Sequence, residues 1–478
     1  MYWLTFISRF VGWINHYGPI NGEKNDGSKK RPILHGYITM GRYEKGRPIF
    51  LAVVSNMNMK NIYKIATLIF LFLSIVIDSY SKTIYIPDDT KTIQEAISLS
   101  ASGDSIKINS ATAELMNVTS THPVGRLMIK NKDISIIGNN ANQRVKISAS
   151  VFSIVDIGVE DPFSATYSGI VIDESHVRIE NMEFADFQVN AYGSDHIPAP
   201  ITALSGSLEI VNCYLSFPII ASTSLSIRDS QIFPFTYIMA FSAFDRQSLE
   251  NLPAMTVKNA QSIALEIVNS TINCDWKYGY KSIVFSNVSD SNIFIENSMI
   301  KGGSYLNFIA GYRPVKKQNG SAGIQVLDSH RLFFNMSGSI ISGGTGTYQG
   351  VTLHKNFYTN NQIDSEPSNG GAGIYLENSH DIHFQNGEIV GGNGMNGSYA
   401  SQDPRDDFYY FINSGDGGDG IHLINSTAVV ENIQSYGGQG GKGTEAVFED
   451  GMDGLPIYLD ELSTVTEGSR CDDWLLYR

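Results

Sequence analysis

Apolar and polar residues alternate in short runs over most of the chain beyond residue 82, and tight polar turns separate the runs. The four longest runs share one pattern: Gly-Ile, an alternating strand, a polar pair with Ser, and a second alternating strand. They are GIVIDESHVRIEN from Gly169, GIQVLDSHRLFF from Gly323, GIYLENSHDIHFQN from Gly373 and GIHLINSTAVVEN from Gly420. Because neighbouring side chains of a strand point to opposite faces, this pattern predicts repeated strand-turn-strand units.

The aliphatic positions of these runs predict the core of a solenoid. The core face comprises Ile170 and Ile172, Ile324 and Val326, Ile374 and Leu376, and Ile421 and Leu423. Each coil would bury these side chains only against its neighbours, so the stack forms one continuous domain. The late repeats are longer than the roughly 20–25 residues of a bare coil, and the surplus is assigned to loops. The pattern predicts an all-β fold of roughly nine coils.

A different pattern precedes the first coil. TIYIP is strand-like, TIQEAISLS places Ile93, Ala96 and Ile97 on one helical face, and GDSIKI returns to alternation. The string IYIPDDTKTIQEAISLSASGDSIKI resembles the opening of pectin-lyase-like parallel β-helix proteins. This resemblance implies a right-handed parallel β-helix over 109–459, with an N-terminal strand and capping helix over 82–108 and an irregular tail over 460–478.

Polar residues recur at the turn after the second strand of each unit. Asn tolerates positive φ and bonds its own backbone at such turns, so these residues are interpreted as structural. The resemblance implies that they stack into an asparagine ladder. The predicted turn residues are Asn181, Asn212, Asp229, Asn269, Asn297, Asn386 and Asn432.

An internal segment has the features of a secretory signal peptide. Met59-Lys60 and Lys64 precede an apolar run from Ile65 to Ile77, and Ser79-Tyr80-Ser81 ends it. Residues 59–81 are therefore predicted to be removed, which leaves Lys82 first, a secreted or cell-surface protein and no stable membrane span. Residues 1–58 are interpreted as a mis-called or dispensable upstream segment. The alternative is an authentic extension with the apolar run as an anchor.

Composition narrows the class of partner. The 478 residues are 42% hydrophobic, enough for a large core, and the formal net charge is −14. Acidic residues are spread along the chain, so nucleic acid is not an expected partner.

The outward side of the first strand in the late coils is the predicted binding surface. It carries Gln325, Tyr375, Glu377 and His422. Two long loops lead into these strands and supply Tyr358, Arg405, Asp406, Asp407 and Tyr409. Aromatic rings beside polar groups suit a polysaccharide, although the tyrosines could equally serve to fix the loops to the solenoid.

The catalytic motifs of the resembled family are incomplete on these coils. Asp406-Asp407 and Arg405 match single elements of the polygalacturonase-like and pectate-lyase-like members, but the surrounding motifs are absent from the sequence. The favoured hypothesis is a protein that binds extracellular or cell-surface polysaccharide or forms part of a surface assembly. The alternative is a polysaccharide lyase or glycoside hydrolase of unrecognised type.

Two groups of residues raise the question of metal binding. Gly-rich turns align Asp416 with Asp450 and Asp419 with Asp453. Stacked carboxylates predict a calcium site, and the alternative is a solvated acidic turn. His176, His330 and His380 follow Ser at one turn position and are interpreted as exposed, because a metal needs converging ligands.

The C-terminal end lacks an evident cap. Residues after Leu459, which include GSRCDDWLLYR, neither continue the repeat nor form an amphipathic helix. A solenoid without a terminal cap exposes an edge, so end-to-end self-association or a truncated chain is expected.

Overall fold

A computed structural model gives the fold. It describes residues 81–114, 127–139, 143–148, 152–154, 170–184, 188–191, 196–198, 201–216, 218–233, 253–274, 281–304, 319–346, 368–396, 398–400, 410–412, 414–443 and 449–468. The predicted upstream segment 1–58 and almost all of the predicted signal peptide 59–81 lie outside the described residues.

The described residues contain one helix, α1 (Ile93–Leu99), and thirty-four strands. The strands of the first half are β1 (Thr83–Ile86), β2 (Ser105–Ile108), β3 (Thr112–Glu114), β4 (Leu127–Lys130), β5 (Ile134–Gly138), β6 (Val145–Ser148), β7 (Phe152–Ile154), β8 (Ile170–Asp173), β9 (Ser175–Glu180), β10 (Met182–Phe184), β11 (Gln188–Ala191), β12 (His196–Pro198), β13 (Ile201–Ala203), β14 (Gly206–Val211), β15 (Tyr214–Leu215), β16 (Ile219–Ala221), β17 (Ser224–Arg228) and β18 (Gln231–Ile232). Those of the second half are β19 (Met255–Gln261), β20 (Ala264–Val268), β21 (Thr271–Asn273), β22 (Ile283–Glu296), β23 (Met299–Lys301), β24 (Ile324–Leu327), β25 (His330–Asn335), β26 (Ile340–Ser342), β27 (Ile374–Glu377), β28 (His380–Val390), β29 (Ser398–Ala400), β30 (Tyr410–Ile412), β31 (Ile421–Ile424), β32 (Thr427–Tyr436), β33 (Ile457–Leu459) and β34 (Thr464–Glu467).

The strands form three parallel faces. The first face runs β4, β8, β13, β16, β19, β22, β24, β27, β31, β33. The second runs from β1 through β2, β5, β9, β14, β17, β20, β22, β25, β28 and β32 to β34, and the third from β3 through β6 to the ends of β28 and β32. Each strand of these faces pairs with its counterpart in the next coil. Strands β7, β11 and β12 form a separate small sheet, and β29 and β30 form another. The fold is the predicted right-handed parallel β-helix, which is confirmed.

The predicted register of the core is confirmed. Ile374 pairs with Ile324 on one side and with Ile421 on the other, and all the predicted core aliphatics are buried. Phe285, Phe334 and Phe384 add an internal row of rings, with centroids 5.4 and 5.0 Å apart. Side-chain packing along the coil axis therefore stabilises the solenoid continuously.

The capping helix is also confirmed. Thr92 and Glu95 form a reciprocal capping box at the start of α1, which satisfies two backbone donors that a helix start leaves free. The buried residues of α1 are Ile93, Ala96 and Ile97, the three predicted from spacing.

All seven predicted turn residues have positive φ, between 47° and 60°. Side-chain hydrogen bonds join several of them across coils: Asn212 Nδ2 donates to Asn181 Oδ1 at 3.0 Å, and Asn432 Nδ2 to Asn386 Oδ1 at 2.8 Å. Buried serines form a second kind of row that was not predicted. The backbone N–H of Ser329 donates to Ser379 Oγ, and that of Ser379 to Ser426 Oγ.

The C-terminal boundary was predicted wrongly. Ile421 pairs with Ile457, two residues beyond the Leu455 to which the turn alignment assigned it. In addition, β34 pairs with β32, so the coil continues through Glu467 instead of giving way to a tail after residue 459. Apolar and polar residues alternate only weakly in this coil, so the sequence pattern does not predict its strands. Residues 469–478 lie outside the described part.

Glycines fill one corner of the late coils. Backbone hydrogen bonds run Gly371 to Gly344, Gly392 to Gly371 and Gly418 to Gly392, at 2.7–2.8 Å. The segment that leaves one coil is thus hydrogen-bonded on both sides. One partner is the segment that enters the same coil, and the other is the segment that enters the next coil. A Cβ atom on Gly371 would lie 2.5 Å from the Gly320 carbonyl oxygen, so this close approach excludes any larger residue.

Candidate functional site

One outward column of the first face carries most of the predicted binding residues. Strand register places Gln325 beside Tyr375, Tyr375 beside His422, and His422 beside Tyr458. Each side chain alternates with a buried aliphatic residue, so the column faces outward because of the same period that fills the core.

A second column lies two residues before the paired isoleucines. Strand register aligns Ile283, Ile324, Ile374, Ile421 and Ile457. The positions two residues earlier are Lys281, Ala322, Ala372, Asp419 and Leu455. Two alanines therefore separate a cation from a carboxylate. With strands about 4.8 Å apart, three coil steps separate Lys281 from Asp419 by roughly 14 Å.

The two columns border one groove, called the turn groove below. Its volume is 410 Å³, and it is lined by Lys281, Gln325, Tyr375, Asp419 and His422 together with the glycine-rich turns. The glycines and the two alanines keep its floor low, because they have small side chains or none. Polar side chains thus converge on a shallow channel that runs along the coil axis.

Three rings are stacked along the channel. The centroids of Tyr375 and His422 are 5.4 Å apart with an interplanar angle of 17°, and those of His422 and Tyr458 are 4.3 Å apart at 12°. Both faces of the imidazole are therefore covered. The 24% of the His422 side chain that remains exposed belongs to its edge.

Asp419 fixes the orientation of that imidazole. Its Oδ2 lies 2.7 Å from His422 Nδ1, and its Oδ1 accepts the Leu455 N–H at 2.8 Å. A carboxylate only accepts hydrogen bonds, so Nδ1 carries a proton and Nε2 is left for a ligand or a transferred proton.

Burial perturbs the other polar groups of the groove. Burial, the charge of Glu377 and the hydrogen bond from Tyr375 Oη to Glu377 Oε2 (3.2 Å) raise the pKa of Tyr375 to about 12, so its phenol stays protonated. Burial lowers the pKa of Lys281, which the charge of Glu377 partly opposes. Gln325 Oε1 is buried and has no hydrogen-bond partner among the described residues.

The predicted site is only partly described. The structure brings Gln325, Tyr375 and His422 to the turn groove, and Glu377 contacts it through Tyr375. Tyr358, Arg405, Asp406, Asp407 and Tyr409 lie outside the described residues. Sequence reasoning missed Lys281 and Tyr458. Lys281 lies two residues before Ile283, and Tyr458 lies one residue after Ile457, in the series of aligned isoleucines. These positions can be recognised only when the strand register is known.

The predicted stacking of four aspartates is wrong. Because the last coil is shifted by two residues, Asp416 accepts the Met452 N–H at 2.9 Å and Asp419 the Leu455 N–H, so neither stacks on another aspartate. Asp453 accepts the Gly440 N–H at 2.7 Å, and Asp450 binds Gly443 N–H and Lys442. No group of three ligands suited to a metal occurs in the described part of the chain. Calcium binding remains a prediction without this support.

The three histidines predicted to be exposed turn residues are exposed, and they lie in strands of the second face. His330 pairs with His380 in the next coil, whereas His176 Nδ1 lies 2.7 Å from Ser207 Oγ. Both His330 and His380 are exposed.

Three parallel faces, a helix-capped first coil and turns with asparagines at positive φ together identify the architecture. The fold is a right-handed parallel β-helix. No protein-family model matches the chain, and no curated protein does so either. In the described residues, no helix is long and apolar enough to cross a membrane.

Several solved structures are similar to the chain at low identity. A rhamnogalacturonan lyase is 12% identical with a TM-score of 0.32, over 83% of this chain and 90% of that one. A periplasmic alginate epimerase is 9% identical with a TM-score of 0.23, over 80% and 83%. The surface protein and adhesin PfbA of Streptococcus pneumoniae is 10% identical with a TM-score of 0.21, over 80% and 96%. Strand pairing, rather than these similarities, carries the fold assignment.

Proposed function

We propose that the protein binds a polysaccharide chain in the turn groove. The observation that carries this proposal is the outward column of Gln325, Tyr375 and His422, which opens into a groove of 410 Å³. Sugar hydroxyls both donate and accept hydrogen bonds, and the groove offers an amide, a phenol, an imidazole edge and an ammonium.

The ring stack defines how a sugar would be held. Because Tyr375, His422 and Tyr458 turn their faces towards one another, the groove presents ring edges rather than a flat platform. Recognition would therefore rely on hydrogen bonds to the sugar periphery. The stack itself keeps those groups in place, which reduces the entropy lost on binding.

Substitution of the column tests the binding function. Tyr375→Ala and His422→Ala should each weaken binding of the polysaccharide at least tenfold, about 1.4 kcal/mol, because each removes a polar contact and a stacking partner. Affinity electrophoresis against a panel of acidic and neutral polysaccharides provides the measurement. Tyr436→Ala is the matched control, since Tyr436 is 49% exposed and outside the groove lining.

A core variant separates binding from folding. Ile374→Ala should cost about 2–5 kcal/mol of unfolding free energy, because Ile374 is fully buried. Equal thermal destabilisation by Tyr375→Ala and Ile374→Ala would refute the assigned register. Unchanged binding in both groove variants would refute the proposed function.

The Asp419 and His422 pair supports catalysis as a second candidate function. An imidazole oriented by a carboxylate, with Nε2 free, has the arrangement of a general base. Incubation of the protein with the bound polysaccharide, followed by assay of unsaturated and reducing ends, tests it. Chain cleavage that His422→Ala abolishes would make the protein a lyase or hydrolase, and intact polysaccharide would leave a binding protein.

We propose further that the protein acts outside the cell. The apolar run from Ile65 to Ile77 and the small residues Ser79 and Ser81 support export with cleavage before Lys82. N-terminal sequencing of the protein recovered from culture medium tests this; a cell-retained chain that still begins at Met1 would contradict it.

A further inference from the structure

We infer that the Lys281 end of the turn groove is a subsite for an anionic group on the polysaccharide, and that Gln325 accepts a hydrogen bond from the same sugar unit. This inference rests on the proposed polysaccharide-binding function and specifies the ligand class. The shared chemistry is that of a carboxylate or a sulfate ester on a sugar ring.

The charged groups at the groove differ in whether they have hydrogen-bond or ion-pair partners. Asp419 binds His422 and the Leu455 N–H, and Glu377 accepts the Tyr375 hydroxyl. Lys281, in contrast, has no carboxylate within salt-bridge distance among the described residues. It is the one charged group of the described groove lining that lacks a partner.

The charge of Glu377 acts on Lys281 without forming an ion pair, and the other carboxylate of the groove, that of Asp419, is distant. Asp419 occupies the equivalent turn three coils away, roughly 14 Å along the axis by the usual strand spacing. The residues between them in that column are Ala322 and Ala372, which carry no charge. At physiological ionic strength, with a Debye length of about 8 Å, charges this far apart interact weakly. The same screening limits the effect of the formal net charge of −14 on a ligand at this end.

Gln325 supplies the second, independent observation. Its Oε1 atom is buried and has no partner among the described residues, although buried polar atoms are nearly always hydrogen-bonded. Exchange of the amide oxygen and nitrogen would leave a buried unpaired donor in the same place, so an unpaired polar atom is present there under either assignment. Gln325 and Lys281 line the same groove, in neighbouring coils.

Matched polysaccharide pairs test the charge requirement. Polygalacturonate and alginate are compared with their carboxyl-reduced twins, and a sulfated galactan with its desulfated twin, by isothermal titration of the full-length protein. The acidic member of at least one pair should bind roughly tenfold to a hundredfold more tightly, as expected for a charge-assisted hydrogen bond. The pair that shows this difference identifies the anionic group.

Two variants assign the effect to residues. Lys281→Met should remove the preference for the acidic twin, because it weakens binding of the acidic twin far more than binding of the neutral twin. Lys107→Met, on an outward position of β2, should leave both affinities unchanged. Gln325→Met should weaken binding of both twins roughly fivefold to tenfold, as expected for one lost hydrogen bond. It should also leave the melting temperature unchanged or higher, because it removes an unsatisfied buried acceptor.

The outcomes separate the two levels of the proposal. Equal binding of acidic and neutral twins, still abolished by Tyr375→Ala, overturns the anionic subsite and retains the polysaccharide-binding function. If Gln325→Met lowers both the melting temperature and the affinity, Gln325 has a structural role, and its proposed hydrogen bond with the sugar is overturned. Absence of binding to every probe overturns the proposed function and the subsite with it.

Discussion

At the scale of single residues, the chemistry of the turn groove depends on which polar atoms are already bound. Tyr375 is held protonated and both carboxylate oxygens of Asp419 already have hydrogen-bond partners, whereas the Lys281 ammonium has no ion-pair partner and Gln325 Oε1 has no hydrogen-bond partner among the described residues. Residue type alone does not reveal this difference. Both carboxylates of the site look like candidate ligands in the sequence, and both prove to be hydrogen-bonded within the groove.

The lowered pKa of Lys281 predicts a pH-dependent preference for anionic ligands. Burial brings this pKa below its ordinary value of 10.5, so the ammonium loses its proton at a lower pH than an exposed lysine does. The ratio of acidic-twin to neutral-twin affinity should therefore fall as pH rises from 7 towards about 10. Titrations at several pH values provide the measurement, with Lys281→Met as the control that should show a flat ratio. A parent ratio that stays constant would show that Lys281 does not carry the preference.

At the scale of secondary-structure elements, the glycine corner determines the shape of the groove. Gly344, Gly371 and Gly392 exchange backbone hydrogen bonds at distances that leave no space for a side chain. The described segments that leave and re-enter the solenoid are thereby hydrogen-bonded to the coils on either side. A groove with a low floor results from this packing.

Substitution of one corner glycine tests that role. Gly371→Ala would place a methyl group against the carbonyl oxygens of Ser321 and Gly320, backbone atoms that other hydrogen bonds hold in place. We expect a loss of unfolding free energy at or above the upper end of the ~1–3 kcal/mol typical of overpacking, measured by chemical denaturation.

Gly468→Ala is the matched control for the corner. Its added methyl group would meet only the side chain of Glu431, at 3.1 Å, and should have a small effect. If the two variants were equally stable, close packing at Gly371 would not be a constraint.

Much of this order of strands and turns could be predicted from the two-residue alternation of apolar side chains and from the residues typical of turns. The strands that begin at Ile324, Ile374 and Ile421 were placed in register because alternation and a preceding glycine recur together. The last coil was misplaced because DGMDGL imitates the same turn two residues too early, and only the pairing of Ile421 with Ile457 decides the register. Lys281 was missed for a related reason, since no Gly-Ile motif marks its coil.

At the scale of the whole molecule, stability accumulates coil by coil from the capped first turn. The cap begins at Lys82, whose N–H donates to Asp104 Oδ1 at 2.6 Å and whose carbonyl accepts the Ser105 N–H at 2.9 Å. Asp104 is 5% exposed. Among the described residues, which begin at residue 81, Lys82 is thus the first that is hydrogen-bonded to the solenoid, and it coincides with the predicted first residue after signal-peptide cleavage.

This coincidence makes a specific prediction about the N-terminus. In a chain that starts at Lys82, the atom beside Asp104 is an α-ammonium, with an ordinary pKa of about 7.7–8.0, instead of an amide. The carboxylate favours the charged amine, which raises the amine's pKa in the folded state, so its contribution to stability is present at neutral pH and lost as pH rises above about 8. The difference in melting temperature between this chain and its Asp104→Asn variant should therefore shrink from pH 7 to pH 9.5. The same pair of proteins with Ser81 retained is the control, because Lys82 then carries an amide and the difference should be constant with pH. Parallel pH profiles for the two pairs would show that Asp104 does not receive a free terminal amine.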